Sequence, residues 1–560
     1  MTLLHNQLVE TKENCGKKSR KSPRRGRNRA EEKGLKRVRR ARTLHDRRKA
    51  EQRQKAVMRR MVENEQKGKG GTSYMTDARI GTMFRSKGFA QKMGKKAREV
   101  NFIQREGKLK PVSLAKAALC VVGEGCEDKS SLASICRKYN QSYNGGNIQE
   151  KPMWNRFASA GCAAFFDEVL DEVQERCNEM AAMHPYREGQ ELIYILNNKF
   201  GLEIEDVYLQ DGTYWRLQES LADQYPGTRS NEAAKLVEDT FDETVAPIYE
   251  KKKVAGIGFQ TQMSMKTGTI KCMTVTPETA NEKEFVQVHE AQRALYIMDS
   301  GYCKYALFDK IANTNSLFLS KCRSNCAAII ESAKIWSATP HGVENNAQDY
   351  IGMKISDAMT LAKKRRQNLD CRCVLSNGLR VRMVIFNSYK INRETNRKEN
   401  NVVLLVTNIF NMPPLCITDL YRVRWQIEIL FKEFKSGNVL RLSNVTKNQN
   451  ILHMLMSASL TTYLLKHMVT LFISHFAEDV SPLKIQTKFT DFKRFLDAYV
   501  THNVDVLKDI MKGFLDFLPS CVKCKTSRKR TEEKRSLRAV LDSLAQTVMP
   551  PAFIECLMQA

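Results

Sequence analysis

Apolar positions first recur at helical spacing between residues 76 and 185. Leu132, Ile135 and Tyr139 form one such set, and Phe165, Val169, Leu170 and Val173 another. Basic residues stand between them, among them Arg105, Lys108, Lys110, Arg137, Lys138 and Arg156, so this stretch reads as a helical N-terminal DNA-binding domain or as a solvated helical face. From 186 to 334 strand and helix signals alternate. Val207, Leu209 and Asp211 share one face of a short strand, and Thr261 to Met265 and Thr269 to Val275 flank the turn Lys266–Gly268 as a hairpin. The run Ala294–Met298 reads as a buried strand ending at Asp299. Residues 335–410 are β-rich, with candidate strands at Cys371–Leu375, Leu379–Phe386 and Val402–Thr407, and helices dominate 411–478 and 479–560. The predicted class is α/β.

Composition adds a partner. The 560 residues carry a formal charge of +29 and are 42% hydrophobic, enough for several cores and basic enough for a polyanion. From 17 to 60 there are 21 Lys plus Arg against 4 acids. Residues 1–75 therefore read as a disordered basic arm, a DNA-contacting tail or a nuclear address. Sixteen scattered cysteines, with Cys322/Cys326, Cys371/Cys373 and Cys521/Cys524 the close pairs after residue 300, give no matched zinc spacing and suit a reducing cytosol or nucleus. The apolar run Leu452–Phe476 holds Lys466 and His467 near its middle, which predicts a buried helix rather than a membrane span.

Candidate chemistry begins at Tyr421–Lys435. At about 100° per residue, Tyr421, Arg424, Glu428 and Lys435 fall within about 60° of one another on a helix, apart from an apolar stripe of Val423, Ile427, Leu430 and Phe434. A carboxylate among cations suits a metal ligand flanked by phosphate-binding groups; a solvated stripe of i,i+4 ion pairs is the competing reading. Asp211 and Asp299 stand at the carboxyl ends of predicted strands, where open α/β sheets place ligands, although Asp211-Gly212 and Asp299-Ser-Gly301 also read as plain turns. Three carboxylates brought together repel, and a divalent cation removes that cost. All-oxygen ligation selects Mg²⁺ or Mn²⁺, and a two-ion site would activate a water or a 3′-hydroxyl.

The spacing Tyr421-x2-Arg424-x3-Glu428-x6-Lys435 resembles the Y-R-E-K signature of the bacterial insertion-sequence transposases of family four. Leu209-Gln-Asp211-Gly-Thr213 and Met298-Asp-Ser-Gly-Tyr302 are similar to that family's two aspartate strands. The resemblance implies an RNase H-like catalytic core in two parts, 186–334 and 411–478, interrupted by a β-rich insertion at 335–410 and followed by a helical C-terminal region, 479–560, with a dimerisation role. It implies a DDE transposase: Asp211, Asp299 and Glu428 as catalytic metal ligands, Tyr421, Arg424 and Lys435 on DNA phosphates. It further implies double-stranded DNA partners (terminal inverted repeats and target), a paired-end homodimer, cut-and-paste strand transfer, and a bacterial, nucleoid-associated cytoplasmic setting, nuclear in a eukaryotic host.

Other signals fail on their chemistry. Gly123–Ser130 resembles a phosphate loop, but Asp128 stands where the second glycine is required, so no nucleotide cofactor is expected. His289-Glu290 lacks the second histidine of a zinc-protease helix. A tyrosine recombinase using Tyr421 would leave Glu428 without a task. Trp336 reads as a core residue rather than a base-stacking one. Two readings stay beside the transposase: an inactive, transposase-derived DNA-binding protein, and an RNase H-like nuclease without strand transfer.

Overall fold

A computed structural model describes residues 77–547 except 85, 106, 125–131, 144–146, 184–185, 229–234, 239–247, 251–253, 325, 338–344, 392–397, 437–445, 475–483, 486–488 and 517–536. The basic arm of residues 1–75 and the pair Cys521/Cys524 lie outside the described residues.

Helices come first: α1 (Asp77–Phe84), α2 (Phe89–Glu99), α3 (Pro111–Glu124), α4 (Leu132–Ser142), α5 (Glu150–Phe157), α6 (Ala160–Met183) and α7 (Arg187–Phe200). In α4 and α6 the periodic residues face inward, with Leu132, Ile135, Tyr139, Phe165, Val169 and Val173 buried and Leu170 half-buried. Helix α7 stops where Gly201 takes the left-handed conformation (φ 62), which costs a glycine least.

The strands are β1 (Asp206–Leu217), β2 (Lys235–Glu238), β3 (Ile248–Glu250), β4 (Ala255–Ser264), β5 (Ile270–Pro277) and β6 (Ala294–Met298). After α8 (Tyr305–Asn313) come β7 (Leu317–Cys322), β8 (Ala328–Trp336) and β9 (Asn345–Asn346). Then α9 (Ile355–Arg365) leads into β10 (Asn368–Leu375), β11 (Arg380–Ile391) and β12 (Lys398–Thr407). Ten of these strands make one mixed sheet in the order β5-β4-β1-β6-β7-β12-β11-β10-β8-β9, while β2 and β3 pair apart. Within it β6 is parallel to both β1 and β7, and is apolar and buried along its whole length, as a strand covered on both faces must be. The strands read from the β-rich stretch are thus not a separate sheet. β12 pairs with β7 (Thr407↔Leu319) and extends the sheet that holds the two aspartates.

Helices α10 (Pro414–Tyr421), α11 (Trp425–Ser436), α12 (Gln449–Ser474), α13 (Phe492–Thr501), α14 (Val504–Asp516) and α15 (Leu537–Gln546) complete the described chain. From Met454 onward α12 is buried almost all round, a pattern that needs protein on every side. It lies against α6 and α3, where the Ser457 hydroxyl donates to Asp167 (2.6 Å) and Asn450 Nδ2 donates to the Ala158 carbonyl (2.8 Å). No helix among the described residues is long and apolar enough to cross a membrane. Segments far apart in sequence therefore share one helical core.

Candidate active site

The parallel register sets the two aspartates side by side. β1 and β6 pair from Asp206↔Ala294 to Gln210↔Met298, so Asp211 and Asp299 each follow the last parallel pair. That is the carboxyl end of the parallel segment, where ligands of open sheets bind. One expectation is corrected here. Asp211 does not end its strand, because β4 keeps pairing with β1 from Asp211↔Thr261 out to Leu217↔Ala255. Nor does Gly212 make a turn: it is a mid-strand residue whose added Cβ would lie 2.9 Å from Gln260 Oε1. Asp299 instead opens a tight 3-10 turn over Ser300–Tyr302.

The signature segment is helical but not one α-helix, a second correction. Helix α10 ends at Tyr421, Arg422–Arg424 form a 3-10 turn, and α11 starts at Trp425. The tighter turn brings residues three apart nearly into line, which places Tyr421 and Arg424 over the same edge of the sheet. The apolar stripe is as expected, with Val423, Ile427, Leu430 and Phe434 buried, and Phe434 meets Phe259 of β4 edge-on.

The polar stripe then closes on the aspartates. Arg424 donates to Asp211 (2.6 Å) and to Glu428 (3.3 Å), and the Tyr421 hydroxyl donates to Asp299 (3.2 Å). Farther along α11, the exposed Lys435 stands over the ring of Trp215, 5.8 Å from its centroid, four residues beyond Asp211 on β1. All six residues singled out in the sequence thus face one strip of β1, β6 and α11.

Burial pushes the Asp211 carboxyl up to about 7; the Arg424 charge and the Gly212 amide oppose this, while Glu428 and Asp299 add to it. Burial also works against the Arg424 charge, but Asp211, Tyr421, Asp299 and Glu428 outweigh it and raise its pKa. Tyr421 is driven well above the ordinary phenol value by burial and by Asp299, so its hydroxyl stays a donor. Asp211 is thus raised chiefly by the loss of water around it, with Glu428 and Asp299 each adding less than Arg424 takes away. An all-oxygen donor set short of positive charge fits a hard divalent cation. As placed, Arg424 pairs with Asp211, and among the described residues no three His, Cys, Asp or Glu side chains are gathered closely enough to hold an ion.

Sequence reasoning missed the neighbours of this strip. Gly301 brings the backbone beside Glu282, which accepts a hydrogen bond from Tyr214 of β1, and burial and Asp299 raise the Glu282 carboxyl. Beneath, the buried Tyr302 hydroxyl donates to Gln260 (2.9 Å). Neither Glu282 nor Gln260 carries a spacing signal; strand register brings in Gln260, and a 3-10 turn after β5 brings in Glu282. His289 is bonded to Gln262 (2.7 Å) and packs on Tyr208, away from any zinc-protease arrangement. Trp336 is buried on β8, in keeping with a core role.

Residues 204–465 match the family described as "Transposase DDE domain". The matched span contains Asp211, Asp299, Tyr421, Arg424, Glu428 and Lys435. The chain is also 26% identical over 172 residues to a Sinorhizobium fredii protein named "Putative transposase y4zB". That alignment takes in 31% of this chain and 41% of the relative.

Proposed function

We propose that the chain is a DNA transposase that cuts and rejoins DNA at terminal inverted repeats with Asp211, Asp299 and Glu428 as metal ligands. The observation that carries this reading is the parallel register, which ends at Gln210↔Met298 and so aligns Asp211 with Asp299 under the Arg424–Glu428 pair. The order of the first five strands of the sheet, β5-β4-β1-β6-β7, supports an RNase H-like core extended by β8–β12 in sequence between Asp299 and Glu428.

Each residue has a task in that chemistry. Two Mg²⁺ or Mn²⁺ ions, when bound, would supply an activated water or 3′-hydroxyl and neutralise the leaving oxygen. Asp211, whose carboxyl burial raises to about 7, would hold the ions together with Asp299 and Glu428. Arg424 holds Asp211 and Glu428 together, and its guanidinium fork suits a DNA phosphate at the same edge. Tyr421 fixes Asp299 and offers its hydroxyl edge to the backbone. Lys435 meets phosphate farther along the strand as a point charge. Double-stranded DNA, a paired-end homodimer and a bacterial cytoplasmic, nucleoid-associated setting (nuclear in a eukaryotic host) belong to the same proposal, as does the DNA-binding role of residues 76–185.

A second reading, an inactive DNA-binding descendant, is favoured by the direct Arg424–Asp211 ion pair and the lack of a ready three-ligand grouping among the described residues. Purified protein incubated with end DNA in Mg²⁺ or Mn²⁺ separates the two. The transposase reading expects nicking by the wild type, and none by Glu428→Gln or Asp299→Asn, with gel-shift affinity retained. Wild-type protein that shifts the DNA but never nicks it supports the second reading, and loss of binding together with cleavage removes the assigned roles.

A further inference from the structure

Three thiols meet behind the turn that carries Asp299. Cys303 closes that 3-10 turn, Cys322 is the last residue of β7, and Cys326 follows four residues later. The Cys303 and Cys322 sulfurs lie 3.2 Å apart, and Cys326 Sγ is 3.0 Å from the Tyr305 hydroxyl. Cys322 and Cys326 are buried, while Cys303 is only partly so. A thiol pair already in sulfur contact needs only a small inward shift to reach bonding distance, about 2.05 Å.

We propose that Cys303 and Cys322 form a reversible disulfide on exposure to hydrogen peroxide, with Cys326 as the base that frees the second thiol. The chemistry follows from the order of the three sulfurs. Hydrogen bonding from Cys322 lowers the Cys303 thiol and brings Cys326 down to about 7, with Tyr305 assisting, while the same contacts raise Cys322 far above the ordinary value. Cys322 therefore holds its proton most tightly of the three, and the more accessible Cys303 gives up its own more readily. The outer, more accessible thiolate is the nucleophile that peroxide meets.

Cys303 thiolate attacks one peroxide oxygen, forming an S–O bond and expelling hydroxide, which leaves a sulfenic acid. Cys322 passes its proton to the Cys326 thiolate and attacks the sulfenic sulfur. The S–S bond forms, the S–O bond breaks, and a second hydroxide leaves. Two thiols lose two electrons and two protons, and peroxide becomes two waters. The crosslink ties the turn that starts at Asp299 to β7, where Ser320 already donates to the Asp299 carbonyl (3.3 Å), and encloses α8. This inference does not depend on the transposase reading.

The test uses the full chain, treated with a small excess of hydrogen peroxide, alkylated, digested and mapped by mass spectrometry. The expected result is one crosslinked peptide pair, Cys303 with Cys322, two hydrogens lighter and restored by dithiothreitol. Cys303→Ser should form no crosslink. Cys326→Ser should form the same crosslink at least about fivefold more slowly, since its base is gone. Cys322→Ser should accumulate a sulfenic acid at Cys303 that a β-diketone probe captures. A Cys322–Cys326 crosslink, no crosslink in the wild type, or an unchanged rate in Cys326→Ser would overturn the proposal.

Discussion

Replacing Asp211 with Asn tests whether the site is an electrostatic liability that a cation relieves. Asp211 is 16% exposed and its carboxyl is pushed from 3.8 to about 7, chiefly by burial. An acid raised in the folded state contributes stability that is complete below its unfolded value and is lost as pH rises through the folded one. With 3.8 for the unfolded chain, the loss is about 2 kcal/mol at pH 5 and about 4 kcal/mol at pH 8, at 1.36 kcal/mol per pH unit of displacement. The isosteric amide carries no such titration. In urea unfolding with a chelator present, the stability of Asp211→Asn relative to wild type should therefore grow by about 2–3 kcal/mol between pH 5 and pH 8. Adding Mn²⁺ at pH 8 should then stabilise the wild type more than the variant. A difference between the two proteins that stays flat across this pH range refutes the reasoning, whatever its absolute size.

Four further outcomes follow from the surroundings of single residues. Arg424→Lys cannot fork Asp211 and Glu428 together, so end cleavage should fall about 100-fold and its pH profile move upward, because Arg424 holds the Asp211 carboxyl down; an unshifted profile in single-turnover assays contradicts this. Burial lowers Lys466 from 10.5 to about 8 beneath a 2.6 Å bond to the Gly123 carbonyl. Its contribution is complete above 10.5 and lost as pH falls to about 8, so Lys466→Met should gain about 2 kcal/mol at pH 7 after the lost hydrogen bond, and lose about 1 kcal/mol well above pH 10.5, where that bond alone is at stake, in chemical denaturation. Gly189 of α7 would place a Cβ 1.7 Å from the Met265 carbonyl oxygen, so Gly189→Ala should lose about 3 kcal/mol or more in thermal melts. Gly94, with nothing within 4 Å, should gain about 0.5–1 kcal/mol as Ala in the same measurement, and equal effects at the two glycines would contradict the packing.

The polar residues that the fold gathers at the end of β1 and β6 were legible because they stand at regular local spacing. A stripe holding Tyr421, Arg424, Glu428 and Lys435 can be counted on a helix, and the apolar run Ala294–Met298 announces a strand that ends at an acid. What spacing did not show is where regular structure changes pitch. The 3-10 turn at Arg422–Arg424 depends on how two helices dock on the sheet, and the extension of β1 beyond Asp211 depends on β4 as a partner. Asp211-Gly212 has the composition of a turn, and pairing across ten registered residues overrides it.

Taken alone, the sequence determined the α/β class, the inward faces of the helices, the hairpin at Lys266–Gly268 and the identity of six polar residues, since each of these follows from periodicity or residue type over a short window. Tertiary structure decided that the strands after residue 328 continue the sheet of the aspartates, that helices from both ends of the described chain close around α12, and that Glu282, Gln260 and three cysteines gather beside Asp299. The reason is physical: hydrogen-bond register and side-chain packing join residues far apart in the chain, and no local pattern encodes which distant partner satisfies them.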